Sequence, residues 1–374
     1  MIKVAVVGAG IAGLSVAWAL RKRGVEVDVF DQGPIPNPGG TSFDEHRITR
    51  HTYADLPGYA ALMPAAFDAY DRLWKDLGKS HYLPLPILYM IRGGVDHYEP
   101  TVTELDAARI GHRRVSIAEI EQRLPMISVD GVEGAFEAEG AGILFAERIV
   151  TDLARWLTEH GVTLHPGCHI SSIDTRNGTI VGDGNVHDFD MVIVAAGAWV
   201  SELLPDYAAQ LVPSRQLVLY LKPPAVFEKA WATAPVLTDV GPTHGAYILP
   251  PRLGTRLKIG DHRFTRIGHG RDDRIATEFD VTPVLAAAQT AFRDFDTYEI
   301  TERKVCYYTV TADERFMTRP VDSCTWLLSA CSGHGFKLGP LVGELVARAI
   351  TGNITPQQAT EITAGRSAYI SEKA

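Results

Sequence analysis

The chain has 374 residues, 46% hydrophobic and 22% charged, with mean hydropathy near zero, a globular composition long enough for two domains. Its formal charge of −9 repels phosphate backbones and argues against nucleic acid as a partner. Cys168, Cys306, Cys324 and Cys331 fall at no metal-ligand or CxxC spacing, so no metal site is expected and the cysteines read as buried thiols.

Met1 leads straight into Ile2 to Val7, a continuous apolar run suited to a parallel strand buried on both faces. No signal region and no run of about 18 apolar residues is found, and Ser371-Glu372-Lys373-Ala374 is not the peroxisomal tripeptide. The expectation is a cytoplasmic protein with no membrane span.

Gly8-Ala9-Gly10-Ile11-Ala12-Gly13 follows that strand as GxGxxG and opens a helix, Ala12 to Lys22, which Gly24 ends. Gly8 suits the tight turn, Gly10 lets backbone approach a pyrophosphate, and Gly13 lets helix and strand pack closely. The helix N-terminus at Ile11 and Ala12 faces the phosphates. Val25 to Phe30 is the next strand, and Asp31 at its end can take ribose hydroxyls. An acid there argues against NADP; FAD and NAD both stay open at this point.

Further on, Ile149 to His160 is an amphipathic helix stopped by Gly161, followed by the strand Val162 to His165. Asp190 to Gly197 is a buried strand ending in the small-residue turn Ala196-Gly197. Thr325 to Ala330 is a strand, and Gly339 to Ile350 a helix. Residues 81–145 and 212–305 differ in texture, with short alternating runs such as Arg215 to Tyr220 and Gly245 to Leu249, read as strands of an antiparallel sheet.

The expected fold is therefore α/β with an α+β substrate part. A Rossmann-type dinucleotide-binding domain is assembled from residues 1–80, 146–211 and 306–374. A substrate domain with an antiparallel sheet takes residues 81–145 and 212–305.

Asp190 to Gly197 resembles the second flavoprotein fingerprint, and Ser332-Gly333-His334-Gly335-Phe336-Lys337 precedes the last helix with small residues that let backbone reach a flat ring. NAD dehydrogenases have no reason for this three-part arrangement, so FAD is the expected cofactor. Four stretches in order then resemble the monomeric sarcosine oxidase and N-methyltryptophan oxidase family. They are Thr41 to His51, the Lys258-to-His262 K-x-x-x-H strand, Val305-Cys306-Tyr307-Tyr308-Thr309, and the SGHGFK run from Ser332 to Lys337. Order and approximate spacing agree over nearly the full length.

That resemblance implies oxidation of a small secondary or N-substituted amino acid to an imine, with oxygen reduced to hydrogen peroxide. A dehydrogenase passing electrons to another carrier is the alternative. Arg50 and Lys337 would bind the substrate carboxylate, with Arg47 near the flavin; a guanidinium fork matches a carboxylate with two hydrogen bonds. Lys258 would lie over the flavin and favour reaction with oxygen. His262, four residues on and on the same strand face, would sit close to the amine, and Tyr308 would be the active-site tyrosine.

Cys306 would carry the flavin on a thioether bond. Thr41, Ser42, Ala196, Gly197, Gly333, His334, Gly335, Phe336 and Lys337 would contact FAD. Taken alone, Lys258 and Lys337 read as solvated lysines, His262 as a structural histidine and Cys306 as a buried thiol. His46, assigned to substrate binding, departs from the threonine common in the family, and the acids Asp44 and Glu45 beside it differ too, as does Gly339-Pro340-Leu341. The substrate's identity is left open by these departures.

Overall fold

The buried apolar runs become the middle of a parallel sheet. Strand Lys3–Val7 pairs in parallel with Glu26–Asp31 on one side and Met191–Val194 on the other. Val4, Ala5 and Val6 have no solvent exposure, as a strand covered on both faces requires. The computed structural model describes residues 2–53, 56–92, 98–240 and 245–371. Met1 and the C-terminal residues 372–374, read above for targeting signals, lie outside them.

Among the described residues, six strands form this sheet in the order Met317–Asp322, Thr325–Ser329, Met191–Val194, Lys3–Val7, Glu26–Asp31 and Thr163–Pro166. Only the edge strand Met317–Asp322 runs antiparallel, hairpinned to Thr325–Ser329. The strands come from three separate stretches of sequence. Helix Ile11–Lys22 packs on helices Gly339–Ile350 and Ala146–Glu159, and these enclose one large apolar core with the sheet.

Among the described residues, a second sheet has eight strands in the order Glu299–Val310, Val212–Lys222, Leu257–Asp261, Ala246–Leu249, Val236–Val240, Ile87–Arg92, Val132–Ala138 and His112–Arg114. It is antiparallel except for one pair: Val236–Val240 lies parallel to Ile87–Arg92. Helix Glu278–Ala291 packs against it, held at its start by a capping box between Thr277 and Asp280. The stretches read as strands alone also contain the helices Tyr98–Ala107, Ile117–Arg123 and Ala225–Thr233.

Strand Glu299–Val310 runs unbroken through Cys306, paired along its length with Val212–Lys222. It thereby carries Tyr307 and Tyr308 from the large sheet to the edge of the glycine-rich turn. A smaller three-stranded sheet, Ile170–Asp174, Thr179–Gly182 and Asn185–Asp188, was not expected from the sequence. No helix of the described residues is long and apolar enough to cross a membrane.

Candidate active site

Two cavities meet between the sheets. The first is lined by Gly8 to Ala12, Asp31, Thr41, Ser42, Ala196, Gly197, Tyr307 and Cys331, among others. The second, of about 450 Å³, is lined by Arg50, Tyr53, Tyr89, Tyr247, Lys258, His262, His334 and Lys337, among others. Arg47, Tyr308, Gly333 and Phe336 line both and mark the junction.

Local chemistry builds the first cavity. Gly8 has φ +108°, a conformation open to glycine, and a side chain there would meet the Ala195 carbonyl oxygen at 2.4 Å. A Cβ at Gly13 would stand 1.8 Å from the Gly8 carbonyl oxygen, so helix and turn touch backbone to backbone. The helix that follows has no acid in its first turn, so no side-chain charge offsets its positive end, which suits an anion. Ser42 Oγ accepts the Ile11 N–H at 2.9 Å, and Thr41 Oγ1 donates to the Tyr307 carbonyl at 2.5 Å. Asp31 accepts from Ala9 N (2.9 Å), Gly33 N (2.9 Å) and the Asn37 amide (2.8 Å), which fixes the carboxylate beside the turn.

The structure brings most of the predicted cofactor residues to this cavity: Gly8, Gly10, Ile11, Ala12, Asp31, Thr41, Ser42, Ala196, Gly197, Gly333, Gly335 and Phe336 line it. Gly13 acts from behind, through packing. His334 and Lys337, grouped with them in the sequence, line the second cavity instead. His334 is pinned there, with Nδ1 3.1 Å from the Tyr53 hydroxyl, Nε2 3.0 Å from the Glu314 carbonyl and its ring stacked on Phe316.

Cys306 is buried and lines neither cavity, whereas Cys331 lines the first. Alternation along the strand puts Cys306 on the same face as Tyr308, which borders both. Burial pushes the Cys306 thiol up to about 11 and raises that of Cys331 as well.

The floor of the second cavity is a cross-strand row. Phe136 pairs with Tyr89, Tyr89 with Thr238, Thr238 with Tyr247 and Tyr247 with Gly260, and the first four line the cavity. The Tyr89 and Phe136 rings stack at 4.5 Å. Thr52 Oγ1 and Tyr89 OH are hydrogen-bonded at 2.5 Å.

Around this floor stand the cations. Lys337 Nζ lies 4.5 Å from the centre of the Tyr53 ring, and the Arg50 guanidinium 5.9 Å from that of Tyr89. Among the described residues no carboxylate lies within ion-pairing distance of either, and Arg50 Nε is buried with no hydrogen-bond partner. Burial, with the charge of Arg50 added, holds Lys337 well below the usual lysine range. His262 keeps accessible surface toward the cavity it lines, yet its enclosed setting, Arg50 and Lys337 press it down to about 3.

Lys258 is fully buried on the cavity wall. Its Nζ donates to Asp44 Oδ2 at 3.0 Å and to the His46 carbonyl. Burial lowers it to about 8, against the opposing pull of Asp44. Asp44, given no role from the sequence, also takes Arg47 Nη1 at 2.5 Å and a hydrogen bond from Tyr220. Burial alone would raise the Asp44 carboxyl, but Arg47, Lys258 and Lys304 overcome this and hold it well below the carboxylate range.

Arg47 donates in addition to the Thr41 carbonyl at 2.6 Å. His46 is not among the residues lining either cavity. Its ring is buried with neither nitrogen in a hydrogen bond of good geometry, and burial followed by the charge of Lys258 holds it well below the usual histidine range.

A glycine cradle, an acid at the strand end and a small-residue loop from the last strand fit a flavin dinucleotide, and the family comparison decides the matter. A family model described as FAD dependent oxidoreductase matches residues 3–349. The chain belongs to this family.

Within the FAD-dependent oxidoreductases, it is 28% identical to a monomeric sarcosine oxidase from Bacillus sp. (strain NS-129), over 99% of this chain and 98% of that protein. It is 25% identical to an N-methyl-L-tryptophan oxidase from Salmonella enteritidis PT4, over 91% and 92%. Among solved structures, the L-proline dehydrogenase from P. horikoshii superposes with a TM-score of 0.82 at 18% identity, covering 98% of this chain and 97% of that one. NikD, described as an unusual amino acid oxidase, does so at 0.80 and 17%, covering 100% of both. The last two show a shared fold.

Proposed function

We propose that this FAD-dependent oxidoreductase converts a small secondary or N-substituted amino acid to the imine and passes the electrons to oxygen, giving hydrogen peroxide. The observation that carries the reading is the pair Arg50 and Lys337, two cations without a carboxylate partner among the described residues, on the wall of a cavity that meets the dinucleotide cleft at Arg47 and Tyr308. Burying an unpaired cation is costly, and a ligand carboxylate offsets that cost. Relatives named sarcosine oxidase and N-methyl-L-tryptophan oxidase support an amino acid donor.

FAD, when bound, supplies the hydride acceptor for the carbon next to the amine. The chain's own residues bind and orient the donor. Arg50 offers a planar fork to the carboxylate and Lys337 a second point of charge. The aromatic floor of Tyr89, Phe136 and Tyr247 covers the apolar part of the donor and displaces water. His262, held neutral, presents an imidazole rather than a third cation. Like-charge repulsion from the pocket lowers the amine pKa and favours the neutral amine that can be oxidised.

Lys258, on the wall of the second cavity, would supply positive charge beside the junction and stabilise negative charge developing on oxygen. Cys306, on the Tyr308 face of its strand, is the proposed point of covalent flavin attachment. The cytoplasm is the proposed location.

Mixing the substrate-reduced enzyme with air tests the acceptor. Reoxidation within a turnover with stoichiometric peroxide is expected, and Lys258→Met should slow that step far more than flavin reduction. A reduced enzyme inert to air but rapidly reoxidised by a quinone or dye would instead identify a carrier-linked dehydrogenase.

A further inference from the structure

Asp44 touches two groups that border the cavities while lining neither cavity itself. It is 2% exposed and Lys258 0%. Its carboxylate meets Lys258 Nζ at 3.0 Å, Arg47 Nη1 at 2.5 Å and Lys304 Nζ at 3.6 Å, and accepts from Tyr220 OH and from the Glu45 N–H at 2.9 Å. Three cations therefore share one buried anion directly behind the junction.

We propose that Asp44 is a positioning residue, a buried counter-ion that fixes Lys258 and Arg47 against the junction and sets how much positive charge a bound flavin meets there. This rests on the reading above that the flavin ring sits where the two cavities join.

The geometry gives two reasons. Of the three N–H bonds of the Lys258 ammonium, one goes to Asp44 and one to the His46 carbonyl, leaving one for the cavity. The direction of the cation is thus dictated from behind. Arg47 is likewise held twice, by Asp44 and by the Thr41 carbonyl.

Second, Asp44 offsets one of three positive charges in a setting where it and Lys258 are fully buried and Arg47 and Lys304 partly so, and charges interact more strongly there than at a surface. The titratable and charged groups facing the Lys258–Asp44 pair are Arg47 and His46 from its own loop, Tyr220 and Tyr247 from neighbouring strands, and Lys304 and Cys306 from Glu299–Val310. Asp44 is the anion among these six and itself, with His46 held neutral and the two tyrosines and the thiol raised by burial. Losing it leaves Lys258 facing Arg47 and Lys304 uncompensated, which favours the neutral amine.

The test is the reduction potential of the bound flavin in the holoenzyme, measured by dye equilibration from pH 5.5 to 10, with neither amine nor oxygen present. The wild type should show an inflection near the Lys258 ionisation that is missing from Lys258→Met. In Asp44→Asn the inflection should move down by about one pH unit or more, and Asp44→Glu should restore it. Lys304→Met strips a like charge and should move it upward, a result that can be read even if Asp44→Asn fails to fold.

An inflection that stays put in the charge variants that fold, or is absent from the wild type, overturns the proposal. A purely structural role for Asp44 would not move the two charge variants in opposite directions. Failure of every amine to reduce the flavin would sink the proposed function while leaving these potentials readable.

Discussion

Lys337 stands in the field of Arg50, and the two share a cavity in which no carboxylate among the described residues pairs with either. Burial and that like charge together disfavour protonation of Lys337, and an anion bound beside it would oppose both effects.

Binding of a carboxylate should therefore bring a proton with it. The pKa of Lys337 is depressed in the free protein and rises when a carboxylate sits beside it, so affinity is favoured at lower pH and falls as pH climbs through the bound-state value. Calorimetry of a carboxylate inhibitor in buffers of different ionisation enthalpy should show uptake of up to about one proton per site. Lys337→Met should abolish the uptake and weaken binding.

The glycine turn gives a second test. A methyl group at Gly13 would stand 1.8 Å from the Gly8 carbonyl oxygen, so helix Ile11–Lys22 must move off its strand. Gly13→Ala is expected to cost about 1–3 kcal/mol and to release flavin. Thermal melting and the absorbance ratio of flavin to protein check both effects.

Much of this was legible in the chain itself. The parallel strands announce themselves as uninterrupted apolar runs, and the glycine motif between Val7 and Ile11 fixes strand, turn and helix locally. The three-stranded sheet of residues 170–188 escaped notice because its alternation is weak, although Asn177-Gly178 and Asp183-Gly184 are hairpin signals with φ of +73° at Gly178, 47° at Asp183 and +80° at Gly184.

Asp44 was seen only as a departure from the family. Its significance depends on Lys258, 214 residues away, and on Tyr220 and Lys304, which a local pattern cannot place beside it. His46, assigned to substrate binding at a departure from the family, lines neither cavity, and no local pattern shows that its ring is buried away from them. The parallel pairing of Val236–Val240 with Ile87–Arg92 is equally a matter of long-range register.

The choice of cysteine is open to a direct experiment. Cys306 shares the Tyr308 face of its strand, while Cys331 lines the first cavity. Acid-precipitated wild-type protein should keep its yellow colour, Cys306→Ser should lose it to the supernatant, and Cys331→Ser should keep it. Colour lost only in Cys331→Ser would assign the link to the other thiol.

His262 predicts a flat response. His262 keeps accessible surface, but desolvation among its neighbours and the charges of Arg50 and Lys337 lower it to about 3, so it is expected to stay neutral from pH 5 to 9. A raised-proton form would have been lost as pH rose; here there is none to lose in that window. The pH profile of flavin reduction should then keep its shape in His262→Asn even if its height drops severalfold. A profile that loses an inflection between pH 5 and 8 in the variant contradicts this.

The central claim is that the cavity beside the flavin selects an amine by its carboxylate. Anaerobic mixing of the purified yellow protein with N-methyl and cyclic amino acids, each beside the same amine lacking the carboxyl group, tests it most directly. The account predicts rapid bleaching of the flavin by at least one carboxylate-bearing amine, little by its decarboxylated partner, and a rate lowered about 100-fold or more in Arg50→Met, as expected for loss of a charge-assisted bidentate contact worth roughly 3 kcal/mol. Equal bleaching by both members of each pair, or a full rate in Arg50→Met, would contradict it.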